Sequence, residues 1–147
     1  MYLPHAVRVL SVAIYGPWAF LALFPGTLIA FHIDSELLST SPAQDREIWV
    51  ALVGAGCAVV GYYAVNIFHR GAIPFREALR DWKPVFRIGV VASLVNSIGL
   101  AVVFREHFDP SLYPQLLMKY FVGDIFGLVV GSLLLFGFFR LIRSLRG

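Results

Sequence analysis

The chain has 147 residues, 59% of them hydrophobic and 14% charged, with a mean hydropathy of +0.76. Soluble domains are only about 45–50% apolar, so the composition points to a polytopic membrane protein, and the length leaves room for one compact domain without a soluble catalytic domain beside it. The lone cysteine, Cys57, excludes an intrachain disulfide framework or a cysteine-based metal site and reads as core packing.

Crossing the hydrocarbon layer takes about 20 apolar residues in a helix. Four segments meet that requirement: residues 6–33, 48–68, 85–104 and 120–139. The expected fold is an all-α, four-transmembrane-helix bundle forming a single domain. The first segment has length to spare and holds Pro17 and Pro25. It is therefore either one kinked or tilted helix or two pieces. Its apolar run is too long for a secretory signal peptide.

The second segment carries Gly54, Ala58 and Gly61 on one face. In lipid, helices associate by close packing of small residues, so this face is expected to turn inward. Asn66, near the end of this segment, reads as an interhelical hydrogen bonder. Between the second and third segments lies "PFREALRDWKP". At helical spacing Phe75 and Trp82 share one face with Ala78 and Leu79, while Arg76, Arg80 and Lys83 point away. This pattern describes a short amphipathic interfacial helix lying on the membrane surface, as an anchor or a docking surface.

The third segment presents Gly89, Ser93 and Ser97 on one face, with Asn96 beside them. The fourth contains Gly123, Gly127 and Gly131, two overlapping GxxxG units and the strongest packing stripe in the chain. Asp124 lies close to that stripe and so faces the bundle, about one turn in from the start of the apolar run. A buried carboxylate costs roughly 2.5–3.5 kcal/mol at the bilayer centre and less near the interface. Arg105 and Lys119 stand at the same expected level and are candidate ion-pair partners. Asn96 and Ser97 are expected deeper, in reach only if the helices are staggered. Asp124 is thus either a helix-start carboxylate paired with a cation or part of a ligand or proton site.

Basic residues orient the segments. Nine of the twelve (Arg8, Arg70, Arg76, Arg80, Lys83, Arg87, Arg140, Arg143 and Arg146) belong to the termini and the middle connection, and only Arg46, Arg105 and Lys119 to the other side. Seven of the nine acids lie with those three. Both termini are therefore expected on the cytoplasmic side, and the net charge of +3 is a topology signal with no nucleic-acid partner implied. No nucleophile–base pair, phosphate loop or zinc motif is present. The four histidines, His5, His32, His69 and His107, are all expected at the interfaces, with His5 and His107 outside the spans. No catalysis, metal or cofactor is expected.

From the second segment onward, "AVVGYYAVNIFHR", "PFREALRDWKPVFRI", "VVASLVNSIGLAV" and "MKYFVGDIFGLVVGSLLLF" occur in an order that resembles the latter half of the membrane-associated sensor (MASE-type) domains of bacterial signalling proteins. "LFPGTLIAF" is similar to an earlier turn of that family. The most specific shared element is Gly123-Asp124-x-x-Gly127; the proline that follows it in the family is absent, with Ser132 and Leu133 in that region. The resemblance implies a sensory or adaptor module of the bacterial inner membrane, with Asp124 in its packed core or ligand pocket; the family's domain is normally followed by a cyclase, kinase or phosphodiesterase domain, and here output is expected from a separate protein. The expected function is a small non-enzymatic membrane subunit. It would bind the bilayer and another membrane protein or a second copy of itself, with an external ligand near Asp124 as an option. A small proton or solute carrier, and an accessory subunit of a respiratory or photosynthetic complex, are the alternatives.

Overall fold

A computed structural model describes residues 3–37, 46–68, 82–106 and 109–145. Among these residues are five α-helices: α1 (Leu3–Tyr15), α2 (Phe20–Leu37), α3 (Glu47–Phe68), α4 (Trp82–Val103) and α5 (Tyr113–Leu145). Single 3-10 turns at Gly16–Ala19 and Pro110–Leu112 precede α2 and α5. There is no strand among the described residues. Four stretches are long and apolar enough to cross a membrane: Pro4–Ile33, Glu47–Phe68, Trp82–Val103 and Tyr113–Leu134. The chain is an all-α membrane bundle. The interfacial-helix residues Phe75, Arg76 and Arg80 lie outside the described residues, while Trp82 and Lys83 open α4 and are exposed.

The first segment is two helices. Gly16 takes φ +64°, a left-handed conformation costly for any residue with a Cβ, and Pro17 cannot donate a backbone hydrogen bond. Together they end α1 after 13 residues, about 20 Å at 1.5 Å per residue. That is too short to cross a layer about 30 Å thick. α1 packs against α5, α4 and α3, whereas α2 packs mainly against α3. The core gathers on α1, where Ala6, Val9, Val12 and Ala13 meet Cys57, Ala58 and Val65 of α3, Ile88 and Ala92 of α4, and Leu128 of α5.

Small residues set the helix separations. A Cβ on Gly61 would lie 2.7 Å from the Ile88 carbonyl and 3.1 Å from the Ala92 nitrogen, so α3 and α4 touch backbone to backbone there. Gly99 receives Val53, Gly89 receives Leu128, and Gly131 receives Ala6. In α5 it is therefore Gly131 that seats α1. Gly127 is buried. Gly123 differs from expectation, since a Cβ there would meet nothing within 4 Å. It precedes the first residue of α5 that turns fully inward, Asp124.

Polar contacts tie the helix ends. The His32 imidazole of α2 lies 3.4 Å from the Glu47 carboxylate at the start of α3. Arg46 donates one guanidinium nitrogen to the Val103 carbonyl and another to Glu106, satisfying an otherwise orphaned acceptor at the end of α4. Tyr113 donates its hydroxyl to the Arg105 carbonyl at 2.5 Å. Asp109 holds the turn before α5: its Oδ1 accepts from the Ser111 amide at 3.0 Å and its carbonyl from the Leu112 amide at 2.9 Å.

Candidate functional site

Five polar side chains are buried together: His5, Ser93, Asn96, Ser97 and Asp124, each 2% exposed or less. α4 supplies three of them because Ser93, Asn96 and Ser97 recur at helical spacing on the face turned to α1 and α5. Asp124 comes from α5 and His5 from the first turn of α1.

Asn96 Nδ2 donates to Asp124 Oδ2 at 2.7 Å, a short, charge-assisted geometry. His5 Nδ1 lies 3.5 Å from the same oxygen, too long for a full hydrogen bond. His5 Nε2 is 3.2 Å from Ser93 Oγ and 3.4 Å from the Gly89 carbonyl. Gly89 O can only accept, so the Nε2 facing it carries a hydrogen, and Ser93 Oγ shares that hydrogen as a second acceptor. Nδ1 then faces Asp124 Oδ2. Two lone pairs would repel there in a dry site, so one further proton belongs between them. It sits on nitrogen, as an imidazolium–carboxylate pair, or on oxygen, as an imidazole and a carboxylic acid. With a proton shared in either way, the pair would be neutral overall.

Arg8, one turn along α1, supplies a fixed cation nearby. Its guanidinium occupies the notch left by Gly54 of α3, where a Cβ would stand 3.0–3.1 Å from Nη2, Cζ and Nη1. Its charge acts on both Asp124 and His5. When the pair gives up its proton, Arg8 remains to balance the carboxylate. Asn96 Oδ1 and Ser97 Oγ are buried without a hydrogen-bond partner among the described residues, which gives the cluster spare capacity for rearranging its hydrogen bonds.

The depth of the site departs from the sequence expectation. Ser93 lies about 16 Å along α4 from Trp82 and about 15 Å from Val103, counting 1.5 Å per residue. Asp124 is about 16 Å into α5, three turns in and at the middle of the Tyr113–Leu134 stretch. α5 begins at Tyr113 because Pro114 is tolerated in a first helical turn and Asp109 organises the turn before it. Asn96 and Asp124 are therefore level, and no stagger is needed. Arg105 and Lys119 are both exposed, and the partners of Asp124 are Asn96 and His5 in their place.

His5 corrects a second expectation: it is fully buried inside the bundle. The missed signal is the Tyr15-Gly16-Pro17 break. A short separate helix does not have to begin at the membrane surface. His32 is exposed, beside Glu47. His69 and His107 lie outside the described residues. Ser93, read as a packing residue, also hydrogen-bonds His5. Comparison with known proteins finds no family model, curated sequence or solved structure that matches this chain.

Proposed function

We propose that this chain is a small, non-enzymatic membrane subunit that takes up and releases a proton at the His5–Asp124 pair and passes the resulting change in α1 to a membrane partner. The observation that carries this reading is the ionisable pair itself, fully enclosed by three helices, with His5 Nδ1 3.5 Å from Asp124 Oδ2. Charged and ionisable groups at such depth are costly and commonly mark ion paths and proton relays. Protein side chains fill the space around Asp124, so a proton is the species this arrangement exchanges most readily. That shifts the functional reading from an external ligand bound at Asp124 to protonation of the pair. The resemblance to the latter half of MASE-type sensor domains supports a sensory or adaptor role, and the charge asymmetry supports a bacterial inner membrane with both termini cytoplasmic.

The test is nitrogen NMR of the His5 ring in lipid nanodiscs as pH is varied. A titrating His5 signal that is lost or displaced in Asp124→Asn is expected. A His5 ring that keeps one protonation state throughout the pH range in which the bundle stays folded would remove the reading. Proton carriage is the second reading, favoured by the mid-depth position of Asp124. It requires access from both faces, and liposomes containing the protein and an internal pH dye would then acidify faster than empty ones. A sensory subunit leaves that rate unchanged.

A further inference from the structure

Where α3 begins and α4 ends, a cleft of about 500 Å³ is lined by Arg46, Trp49, Val102, Val103, Arg105 and Glu106. It lies at the opposite end of α4 from Trp82 and well away from the His5–Asp124 pair. Its polar wall is pre-arranged: the Arg46 guanidinium is fixed by the Val103 carbonyl and by Glu106. The contact with Arg46 offsets the Glu106 charge. Arg105 adds a second guanidinium, so the cleft carries two cations against one carboxylate. Its other wall is apolar and open: Trp49 and Val102 are each 59% exposed. Exposed Leu52 on α3 and Ile98 on α4 extend the apolar surface toward the middle of the bundle.

A tryptophan and arginines at a helix end beside lipid-facing aliphatic side chains are what a membrane–water boundary selects. A ligand that fits this surface has an anionic head and an apolar body. Guanidinium matches phosphate oxygens in a planar fork, and an indole packs against a glycerol backbone and the first methylenes of an acyl chain. We propose that this cleft binds the phosphate of an anionic membrane lipid, with Arg105 as the phosphate ligand, Arg46 as the fixed second cation and Trp49 as the apolar wall.

The experiment is native mass spectrometry of the full chain in detergent with added phosphatidylglycerol, phosphatidylcholine or inorganic phosphate. The wild type is expected to retain one phosphatidylglycerol in preference to phosphatidylcholine. Arg105→Gln is expected to lower the retained fraction about tenfold, the scale of a lost charge-assisted hydrogen bond. Trp49→Ala weakens retention further, and Lys119→Gln, exposed elsewhere on α5, leaves it unchanged. Each of these replaces an exposed side chain, so the bundle is kept. Equal retention by Arg105→Gln, equal loss in Lys119→Gln, or no preference between the two lipids would overturn the site. Displacement of the lipid by inorganic phosphate would overturn the lipid assignment in favour of a soluble phosphate. None of these outcomes bears on the titration of His5, so the two proposals fail separately.

Discussion

Replacing Gly61 by alanine tests whether backbone contact between α3 and α4 holds the bundle. The added Cβ would sit 2.7 Å from the Ile88 carbonyl oxygen and 3.1 Å from the Ala92 nitrogen. Ordinary contact begins near 3.4 Å, so the two helices must separate by roughly 0.7 Å, and both obstacles are backbone that no rotamer change can clear. Overpacking of this kind costs about 1–3 kcal/mol. Alanine also gains up to about 1 kcal/mol of helix propensity over glycine, which partly hides the clash. Gly56→Ala is the matched control, because a Cβ there meets nothing within 4 Å while the propensity gain is the same. Cys57 provides the assay: it is the only thiol, it is buried, and it lies one turn from Gly61 on α3. Its reaction with a fluorogenic maleimide in micelles reports opening of the helix pair. The difference between the two variants should be about 5–150-fold in labelling rate, taking 1.4 kcal/mol per decade. Labelling of Gly61→Ala within twofold of Gly56→Ala would refute the close-contact argument.

Asn96→Ala removes the 2.7 Å donor to Asp124 and leaves a buried acceptor unpaired, a cost of about 1–3 kcal/mol. In a double-mutant cycle with Asp124→Leu most of that cost should vanish; additive effects on Cys57 labelling would show that the two side chains do not interact. Gly54→Ala faces the flexible end of Arg8, so it should cost well under Gly61→Ala, whereas Gly54→Leu should expel the guanidinium and alter the His5 titration. If Gly54→Leu leaves that titration untouched, Arg8 is not the balancing charge. The Ser111 amide holds the Asp109 carboxyl below its ordinary value of 3.8, and the carboxyl is fully exposed. A group whose folded pKa is lowered stabilises above its unfolded pKa and loses that contribution as pH falls through the folded one. The turn before α5 should therefore be intact at neutral pH and loosen only in acid below the usual carboxylate range. Hydrogen exchange at Ser111 should show this, and Asp109→Asn should abolish the pH dependence.

The spans were legible because lipid imposes a length and a composition that few soluble segments meet, and each of the four apolar runs corresponds to a helical stretch. Inward-facing small residues were legible for the same reason: with no hydrophobic drive between helices in lipid, packing contact must come from glycine, alanine and serine. Hydropathy marks what lipid tolerates, however, and not where a backbone hydrogen-bond ladder begins. α5 starts seven residues before the apolar run at 120, since Gln115 and Lys119 suit a helix as well as a leucine does. Counted from Tyr113, Asp124 falls at the middle of the Tyr113–Leu134 stretch, beside Asn96 and His5 in place of its expected cations. His5 was hidden by a second shift, the left-handed Gly16, which detaches α1 from the spanning helix.

The two shifts together explain why the polar residues converge on α1. A helix that spans the layer must hold its charges near the ends, where water reaches them. A helix of 13 residues seated inside the bundle has no such constraint, and it can carry His5 and Arg8 to mid-depth if its neighbours provide acceptors and a notch. Gly89, Ser93, Asp124 and Gly54 do so from three different helices. α1 itself rests on alanine and valine, against α3, α4 and α5. These contacts are individually weak and have no direction, so the polar contacts of His5 add direction to the register that packing sets for α1. A change of protonation at His5 and Asp124 would therefore act on the helix on which the core gathers, and the three helices that α1 touches are those through which a partner would sense it.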